Sequence, residues 1–161
     1  MTVTTVDTDL DARTLTLVAE FDAPVERVWE LWSNPRKLER WWGPPGYPAT
    51  FERHELEPGG TVTYFMTSPE GKRFHGVWRV VAVDPPHSLD VEDSFADANG
   101  TINPELPTGQ MRLRLTEDGG RTRMELVSIH ANVEDLQQVL DMGQAEGMKQ
   151  AIAQMDALLA E

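Results

Sequence analysis

The chain has four histidines, and their spacing decides whether they could hold a metal ion: His54, His75, His87 and His130. None lies two or four residues from another, so the sequence predicts no metal site. His130 continues the alternation of Met124 and Leu126, which places it on the apolar face of the last strand. It is therefore either one polar contact inside a cavity or a buried histidine with satisfied hydrogen bonds at a strand end.

Other side chains with catalytic chemistry show no arrangement that predicts an active site. The chain has no cysteine, which excludes disulfides and thiolate chemistry. For Ser128 the sequence shows neither a general base nor a residue to orient one, as a catalytic triad requires. It also shows no glycine-rich phosphate loop. Five acidic residues could include a general acid or base, but no pair of them stands out by its spacing. Positions on solvent-exposed strand faces account for nearly all of them: Glu52, Glu55, Asp90, Glu92 and Asp93. We expect no catalytic residue, no metal and no cofactor.

Aromatic and methionine side chains are the second group that could form a site, because they adapt to varied apolar ligands. Trp41 and Trp42 are adjacent, so their side chains point about 100° apart on a helix and one is expected to face a pocket or solvent. Arg79 points to water, which turns Trp78 inward. The predicted ligand-binding wall consists of Trp41, Trp42, Tyr64, Met66, Trp78, Met111, Met124, His130 and Met148. The alternative is that these side chains simply interdigitate as core.

Strands and short helices must position this wall. Alternation from Arg13 to Phe21 predicts a first strand. Pro24 opens a helix with an apolar stripe, and Asn34-Pro35 opens a second one that ends before Gly43. Turn residues then divide the chain into six further strands, the last two forming a hairpin. Their predicted bounds are Ala49–Leu56, Thr61–Thr67, Lys72–Val83, Leu89–Phe95, Gln110–Thr116 and Arg121–Ala131.

The C-terminal segment predicts one long amphipathic helix. Asn132 is placed to cap it, and no proline occurs from Val133 to Leu159, a length of about 27 residues or about 40 Å. Gly143 and Gly147 lie inside this helix and each costs about 1 kcal/mol relative to alanine. Their presence indicates either a close approach of the sheet or room left for a ligand.

Composition and charge set the class of protein. The 161 residues are 40% hydrophobic, and the net charge is −13. Such an acidic chain repels phosphate backbones and anionic lipid, so we expect neither a nucleic-acid nor a membrane partner. No signal peptide or transmembrane run is visible, which predicts a cytoplasmic location. We expect one domain, residues 1–161, with 1–12 as a flexible extension or as part of the first strand.

These elements predict an α+β protein. A seven-stranded antiparallel sheet with one apolar face must curve around the long C-terminal helix to bury both surfaces. A curved sheet and a straight helix do not fill the volume between them, and two short helices after the first strand close the gap. The enclosed space is the natural place for a pocket.

Several motifs then resemble the START-like (SRPBCC) superfamily, and more narrowly its bacterial branch related to the activator of the heat-shock chaperone ATPase. The motifs are Ala23–Trp29, Asn34-Pro35, Leu38–Pro44, Leu56–Gly60, Pro69–Gly71, Gly76-Val77, Val83–Pro86 and Gly143 with Gly147. The resemblance covers about residues 13 to 160 and implies a helix-grip fold with a hydrophobic cavity. Relatives include lipid carriers, aromatic polyketide cyclases, hormone receptors and co-chaperone domains. Where relatives have Gly-Trp in the last helix, this chain has Gly147-Met148.

Three functional hypotheses follow. The first is binding of a small apolar or aromatic molecule in the cavity, driven by desolvation. The second is a cyclase- or hydrolase-type enzyme that uses the same cavity with an acid–base residue, which an inward carboxylate or histidine beside a ligand-sized void would favour. The third, from the resemblance, is an interaction protein with a chaperone partner. The sequence leaves monomer and homodimer open.

Overall fold

Eight antiparallel strands form one sheet in the computed structural model, which describes residues 3–161, with side chains from residue 5. The order across the sheet is β1-β2-β8-β7-β6-β5-β4-β3. The strands are β1 (Val3–Asp9), β2 (Thr14–Phe21), β3 (Ala49–His54), β4 (Thr61–Thr67), β5 (Arg73–Asp84), β6 (Ser88–Ala96), β7 (Gly109–Asp118) and β8 (Arg121–Ile129). Apolar side chains alternate onto the concave face, as Leu15 and Leu17 do in β2. The predicted helix-grip architecture is confirmed.

The predicted number of seven strands is wrong, because the N-terminal segment adds an eighth. Residues 3–9 pair antiparallel with β2, with Val6 opposite Leu17. Ala12 N–H donates to Asp9 Oδ1 at 3.0 Å in the turn that follows, and Arg13 adopts a positive φ of 61° there. A flexible extension over residues 1–12 is therefore wrong for residues 3–9. Residues 1 and 2 lie outside the described part of the chain.

Two short helices follow β2 and begin where the proline signals predict, but the second ends at Leu38, so the predicted continuation to the residue before Gly43 is wrong. Helix α1 (Val25–Ser33) begins directly after Pro24 and buries the side chains of Val28 and Trp32. Helix α2 (Pro35–Leu38) is capped by Asn34, whose side chain accepts a hydrogen bond from Arg36 N–H at 2.9 Å. The cap fixes where the chain turns, and the residues after α2 then carry Trp41 and Trp42 into the interior.

The C-terminal helix is not one straight rod, which corrects the sequence-based expectation. It consists of α3 (Val133–Asp141), α4 (Gln144–Ala153) and α5 (Met155–Leu159). Asn132 caps α3 as predicted, accepting from Asp135 N–H at 2.8 Å. The chain breaks at Gly143, whose φ of 83° belongs to the left-handed region that glycine adopts without strain. No described helix is long and apolar enough to cross a membrane.

Aromatic side chains fill one end of the concave face. We call this group the tryptophan cluster: Trp32, Trp41, Trp42, Phe51, Tyr64 and Trp78. Ring centroids of Trp32 and Trp41 lie 4.8 Å apart, and those of Trp42 and Trp78 also 4.8 Å, both in edge-to-face geometry. Trp41 Nε1–H donates to the carbonyl of Leu31 at 2.9 Å. This end of the molecule is close-packed.

Candidate ligand cavity

A cavity of about 230 Å³ lies between the concave face of the sheet and the broken C-terminal helix. Strands β4, β6, β7 and β8 form its floor, and α3 with α4 forms its roof. Its lining residues are Trp42, Tyr64, Met66, Asp93, Ser94, Phe95, Pro107, Gly109, Gln110, Met111, Ser128, His130, Val139, Met142, Gln144 and Met148. Most of these side chains are apolar or contain sulfur, so the cavity favours apolar occupants.

The structure brings most of the predicted wall to this cavity. Six of the nine residues line it: Trp42, Tyr64, Met66, Met111, His130 and Met148. The other three do not, because Trp41, Trp78 and Met124 are fully buried and pack within the core. Trp41 and Trp42 separate as the adjacency of their positions predicts, since Trp41 turns to Leu31 and Trp42 to the cavity.

Gly109 leaves a gap in a row of side chains that crosses the cavity floor. Asp93 of β6 pairs with Trp78 on one side and with Gly109 on the other. His130 is the next residue after Ile129, which pairs with Gln110, so His130 stands beside Gly109. A side chain at Gly109 would meet the His130 ring, with a Cβ only 3.2 Å from Cε1. Because Gly109 has no side chain, the ring of His130 lies over it, on the same cavity floor as Asp93.

Asp93 places a carboxyl group in largely apolar surroundings. Burial raises the pKa of Asp93 to about 7, well above its usual 3.8. Among the described residues no salt bridge or side-chain hydrogen bond reaches its carboxylate, whereas the neighbouring Asp90 pairs with Arg114 at 2.6 Å. The interpretation of Asp93 as part of a solvated strand face is therefore wrong.

His130 is the second polar group of the cavity, and its ring nitrogens have no partner. Only 5% of His130 is exposed, and neither Nδ1 nor Nε2 finds a hydrogen-bond partner among the described residues. Burial lowers the pKa of His130, although the charge of Asp135 acts in the opposite direction. The ring is therefore neutral at pH 7, with one nitrogen free to accept a hydrogen bond and the other free to donate one.

Tyr64 borders both the cavity and the tryptophan cluster. It pairs across the strands with Gly76, and its ring lies over that residue, where an added Cβ would meet the hydroxyl at 2.4 Å. Burial raises the pKa of Tyr64 far above its usual value, and the charge of Asp93 adds to the effect. The hydroxyl is therefore neutral. The indole N–H groups of Trp42 and Trp78 are also buried, and neither has a hydrogen-bond partner among the described residues.

The sequence contained a signal for Asp93 that its charge concealed. Leu89 and Val91 are buried on the concave face, and the strand period of two places Asp93 next on the same face. The helix break at Gly143 brings Met142 and Gln144 to the cavity, which continuous helical spacing does not show. Glycine in an otherwise helical pattern is the signal for that break.

The chemistry available in this cavity is limited to hydrogen bonding, proton transfer and apolar contact. The lining contains one carboxyl group and one imidazole but neither lysine nor arginine. Within residues 3–161 no group of three histidine or acidic side chains is arranged to hold a metal ion. Asp93 and His130 can orient a ligand or exchange a proton with it, and the remaining wall supplies desolvation.

Comparison with known proteins gives one family and several close structural relatives. The family model described as "Activator of Hsp90 ATPase homolog 1-like protein" matches residues 22–160. A crystal structure of a Mycobacterium smegmatis protein is 52% identical, covers 98% of this chain and 96% of that one, and has a TM-score of 0.91. A solution structure of an Arthrobacter aurescens protein is 45% identical, covers 99% and 92%, and has a TM-score of 0.95. No curated protein matches this chain.

Proposed function

Because the chain belongs to the activator of Hsp90 ATPase homolog 1-like family, within the START-like superfamily, we propose that it binds a small apolar or aromatic molecule in its cavity. The observation that carries this proposal is the void of about 230 Å³ between the sheet and α3–α4. An apolar cavity of about 150 Å³ is large enough for benzene, so this one suits a ligand somewhat larger than a single ring.

The wall accounts for the expected preference. Trp42, Met66, Met111, Val139 and Met148 present aromatic, thioether and aliphatic groups to the void. Each Å² of apolar surface removed from water contributes about 25 cal/mol before the cost of ordering the ligand is subtracted. Asp93 and His130 supply the few polar contacts that orient a ligand in such a pocket.

A titration with neutral aromatic compounds tests the proposal. Benzyl alcohol, phenethyl alcohol and cinnamyl alcohol, which do not fluoresce like tryptophan, are added while tryptophan fluorescence and melting temperature are recorded, because Trp42 lines the cavity. We expect saturable fluorescence changes and a raised melting temperature for at least one compound. Ser128→Leu takes up part of the cavity and should weaken the response. Val127→Leu adds bulk at the adjacent position, which faces away from the cavity, and should leave the response intact.

The proposal is overturned if none of the three compounds changes fluorescence or melting temperature. It is also overturned if Ser128→Leu and Val127→Leu bind equally well, because the ligand would then occupy another surface. The sequence-based expectations of a cytoplasmic location and of a monomer or homodimer stay predictions.

A second candidate function is an enzyme of the cyclase or hydrolase kind, and the carboxyl group of Asp93 beside the void favours it. A carboxyl whose pKa lies near 7 can both donate and accept a proton at neutral pH. Turnover of a bound compound by the wild type, lost in Asp93→Asn while binding persists, would support this alternative. Binding without any chemical change in the ligand would leave the carrier function.

A third candidate, binding to a chaperone, is suggested by the name of the family. A pull-down with the host chaperone, with and without nucleotide, tests it directly. Retention that survives Ser128→Leu would identify a docking surface separate from the cavity.

A further inference from the structure

We propose that the ligand is a hydrophobic organic cation, an amine whose ammonium group lies between Asp93 and His130 while its apolar body contacts Trp42 and the methionine wall. This inference rests on the proposed function, because it specifies the ligand class of the same cavity. It follows from the charges that line the cavity, from the unpartnered groups on its floor and from the placement of Asp93 and His130 around Gly109.

The lining has no positive charge to receive an anionic ligand. Of the residues that surround the cavity in the described part of the chain, Asp93 is the one with a formal charge, and none is lysine or arginine. A ligand carboxylate or phosphate would be desolvated beside a carboxyl group with no counter-ion, which is strongly unfavourable. The ligand is therefore neutral or cationic.

The unpartnered carboxyl of Asp93 distinguishes between these two possibilities. Asp90 of the same strand has a cationic partner in Arg114, and Asp22, just after β2, has one in Arg121 at 2.7 Å. Asp93 has none within residues 3–161, and its charged form is costly without one. A bound ammonium would supply the missing partner and form a charge-assisted hydrogen bond, which is stronger than a bond between neutral groups.

The cavity floor beside Gly109 gives the ammonium a place. Asp93 and His130 stand on either side of Gly109, separated by two strand spacings of roughly 4.8 Å each. An ammonium has several N–H donors, and both flanking groups can accept, Asp93 through its carboxylate and His130 through a free ring nitrogen. The His130 ring lies over Gly109, on the side of Asp93, so an ammonium held between the two side chains can donate to both. The neutral hydroxyl of Tyr64 lines the same cavity.

Two wider features also favour a cation. The rings of Trp42 and Tyr64 border the cavity, and aromatic faces attract organic ammonium groups. The net charge of −13 raises the concentration of cations near the surface and opposes the entry of anions. The attraction of ammonium to the ring faces and the effect of the net charge act on a cation and not on a neutral ligand, although the same rings also contact neutral aromatic groups.

Three ligands with one carbon frame test the inference: cinnamylamine, cinnamyl alcohol and cinnamate. Dissociation constants are measured by calorimetry at neutral pH and low salt. We expect the amine to bind wild type about tenfold more tightly than the alcohol or better, and cinnamate to bind more weakly than both. In Asp93→Asn the affinity for the amine should fall to that for the alcohol. The affinity for the alcohol should stay within about twofold of its wild-type value.

Asp90→Asn is the matched control, because it removes the same formal charge from the same strand but on the outer face, where Asp90 pairs with Arg114. It should keep the preference for the amine. Equal affinity of amine and alcohol for wild type, or tightest binding of cinnamate, overturns the inference and leaves the proposed function standing. An amine preference that persists in Asp93→Asn also overturns it. Failure of all three ligands to bind overturns the inference and counts against the proposed function itself.

Discussion

The two ends of the concave face are built from the same sheet but packed in opposite ways. At the end under α1 and α2, Trp32, Trp41 and Trp78 are fully buried, and the ring centroid of Trp32 lies 4.8 Å from that of Trp41 and 6.2 Å from that of Trp78. At the end under α3 and α4, Gly109 and Ser128 occupy inward positions, and a void of about 230 Å³ remains. The size of the inward side chains therefore helps to separate core from cavity.

Trp42 and Tyr64 form the boundary between these ends. Both belong to the tryptophan cluster, with ring centroids 6.0 Å apart, and both line the cavity. The packed end therefore supplies one rigid aromatic wall of the cavity. Stability and ligand binding should respond differently to substitutions on the two sides of this boundary.

The largest difference between the ends should appear on truncation of a side chain. Trp41→Ala should lose about 3–5 kcal/mol of unfolding free energy, because it opens a void in a close-packed group and breaks the hydrogen bond to Leu31. Met148→Ala should cost about 1 kcal/mol or less, because Met148 already faces open space. Urea unfolding measures both. Similar losses for the two variants would contradict the distinction between a packed end and an open one.

Removal of the unpartnered carboxyl should stabilise the cavity end at alkaline pH. The pKa of Asp93 is about 7 when folded and about 3.8 when unfolded, so its contribution is fully favourable below 3.8 and is lost as pH rises through 7. Asp93→Asn removes this loss and should therefore raise the unfolding free energy above pH 7, by about 4 kcal/mol at most. The gain should grow from pH 4 to pH 8. His130 has a lowered pKa and weakens the fold on the acid side in both proteins, so only their difference is compared.

Melting temperatures at several pH values measure this effect, and Asp90→Asn again serves as the control. That variant should lose stability at neutral pH, because Asp90 is paired with Arg114. A gain for Asp93→Asn that does not depend on pH would show that its carboxyl is not the cause.

Addition of bulk should have opposite consequences at the two ends. Ala19 is completely buried in the packed part of β2, so Ala19→Leu should cost about 1–3 kcal/mol through overpacking. Ser128→Leu extends into the void and should change stability by less than about 1 kcal/mol. Chemical denaturation distinguishes the two outcomes. An equal cost at Ser128 would mean that the void is already filled in solution.

The smallest effects concern the helix over the cavity. A Cβ at Gly147 would meet nothing within 4 Å, so Gly147→Ala should gain about 1 kcal/mol from helix propensity. Gly143 also has open space but a φ of 83°, so Gly143→Ala should lose about 1 kcal/mol. Thermal unfolding compares the two. A gain at both positions would show that the break between α3 and α4 is absent in solution.

Local signals were sufficient to predict much of the fold from the sequence. Pro24 and Asn34 mark the starts of α1 and α2, Asn132 marks the start of α3, and alternation defines the hairpin of β7 and β8. Strand β1 could not be predicted with the same means. Its residues are mostly threonine, valine and aspartate without an apolar face, and pairing with β2 makes them a strand.

The candidate site was predictable only in part, because alternation gives the face of a strand but not the depth along it. Trp78 and Met124 point inward as expected, yet both lie in packed core rather than at the void. Asp93 also points inward. Acidic residues usually lie in solvent, so the sequence alone favours an exposed position, and its pairing with Gly109 on the cavity floor is seen only in the structure. The close approach of sheet to helix, one explanation for Gly143 and Gly147, is not present.

The eighth strand has a consequence for association between copies of the chain. Strand β1 covers the hydrogen-bonding edge of β2, whose alternating leucines and threonines would otherwise be available to another chain. The new outer edge carries the carboxylates of Asp7 and Asp9, and like charges oppose edge-to-edge joining of two sheets. Residues 3–9 therefore protect the protein against aggregation through β2.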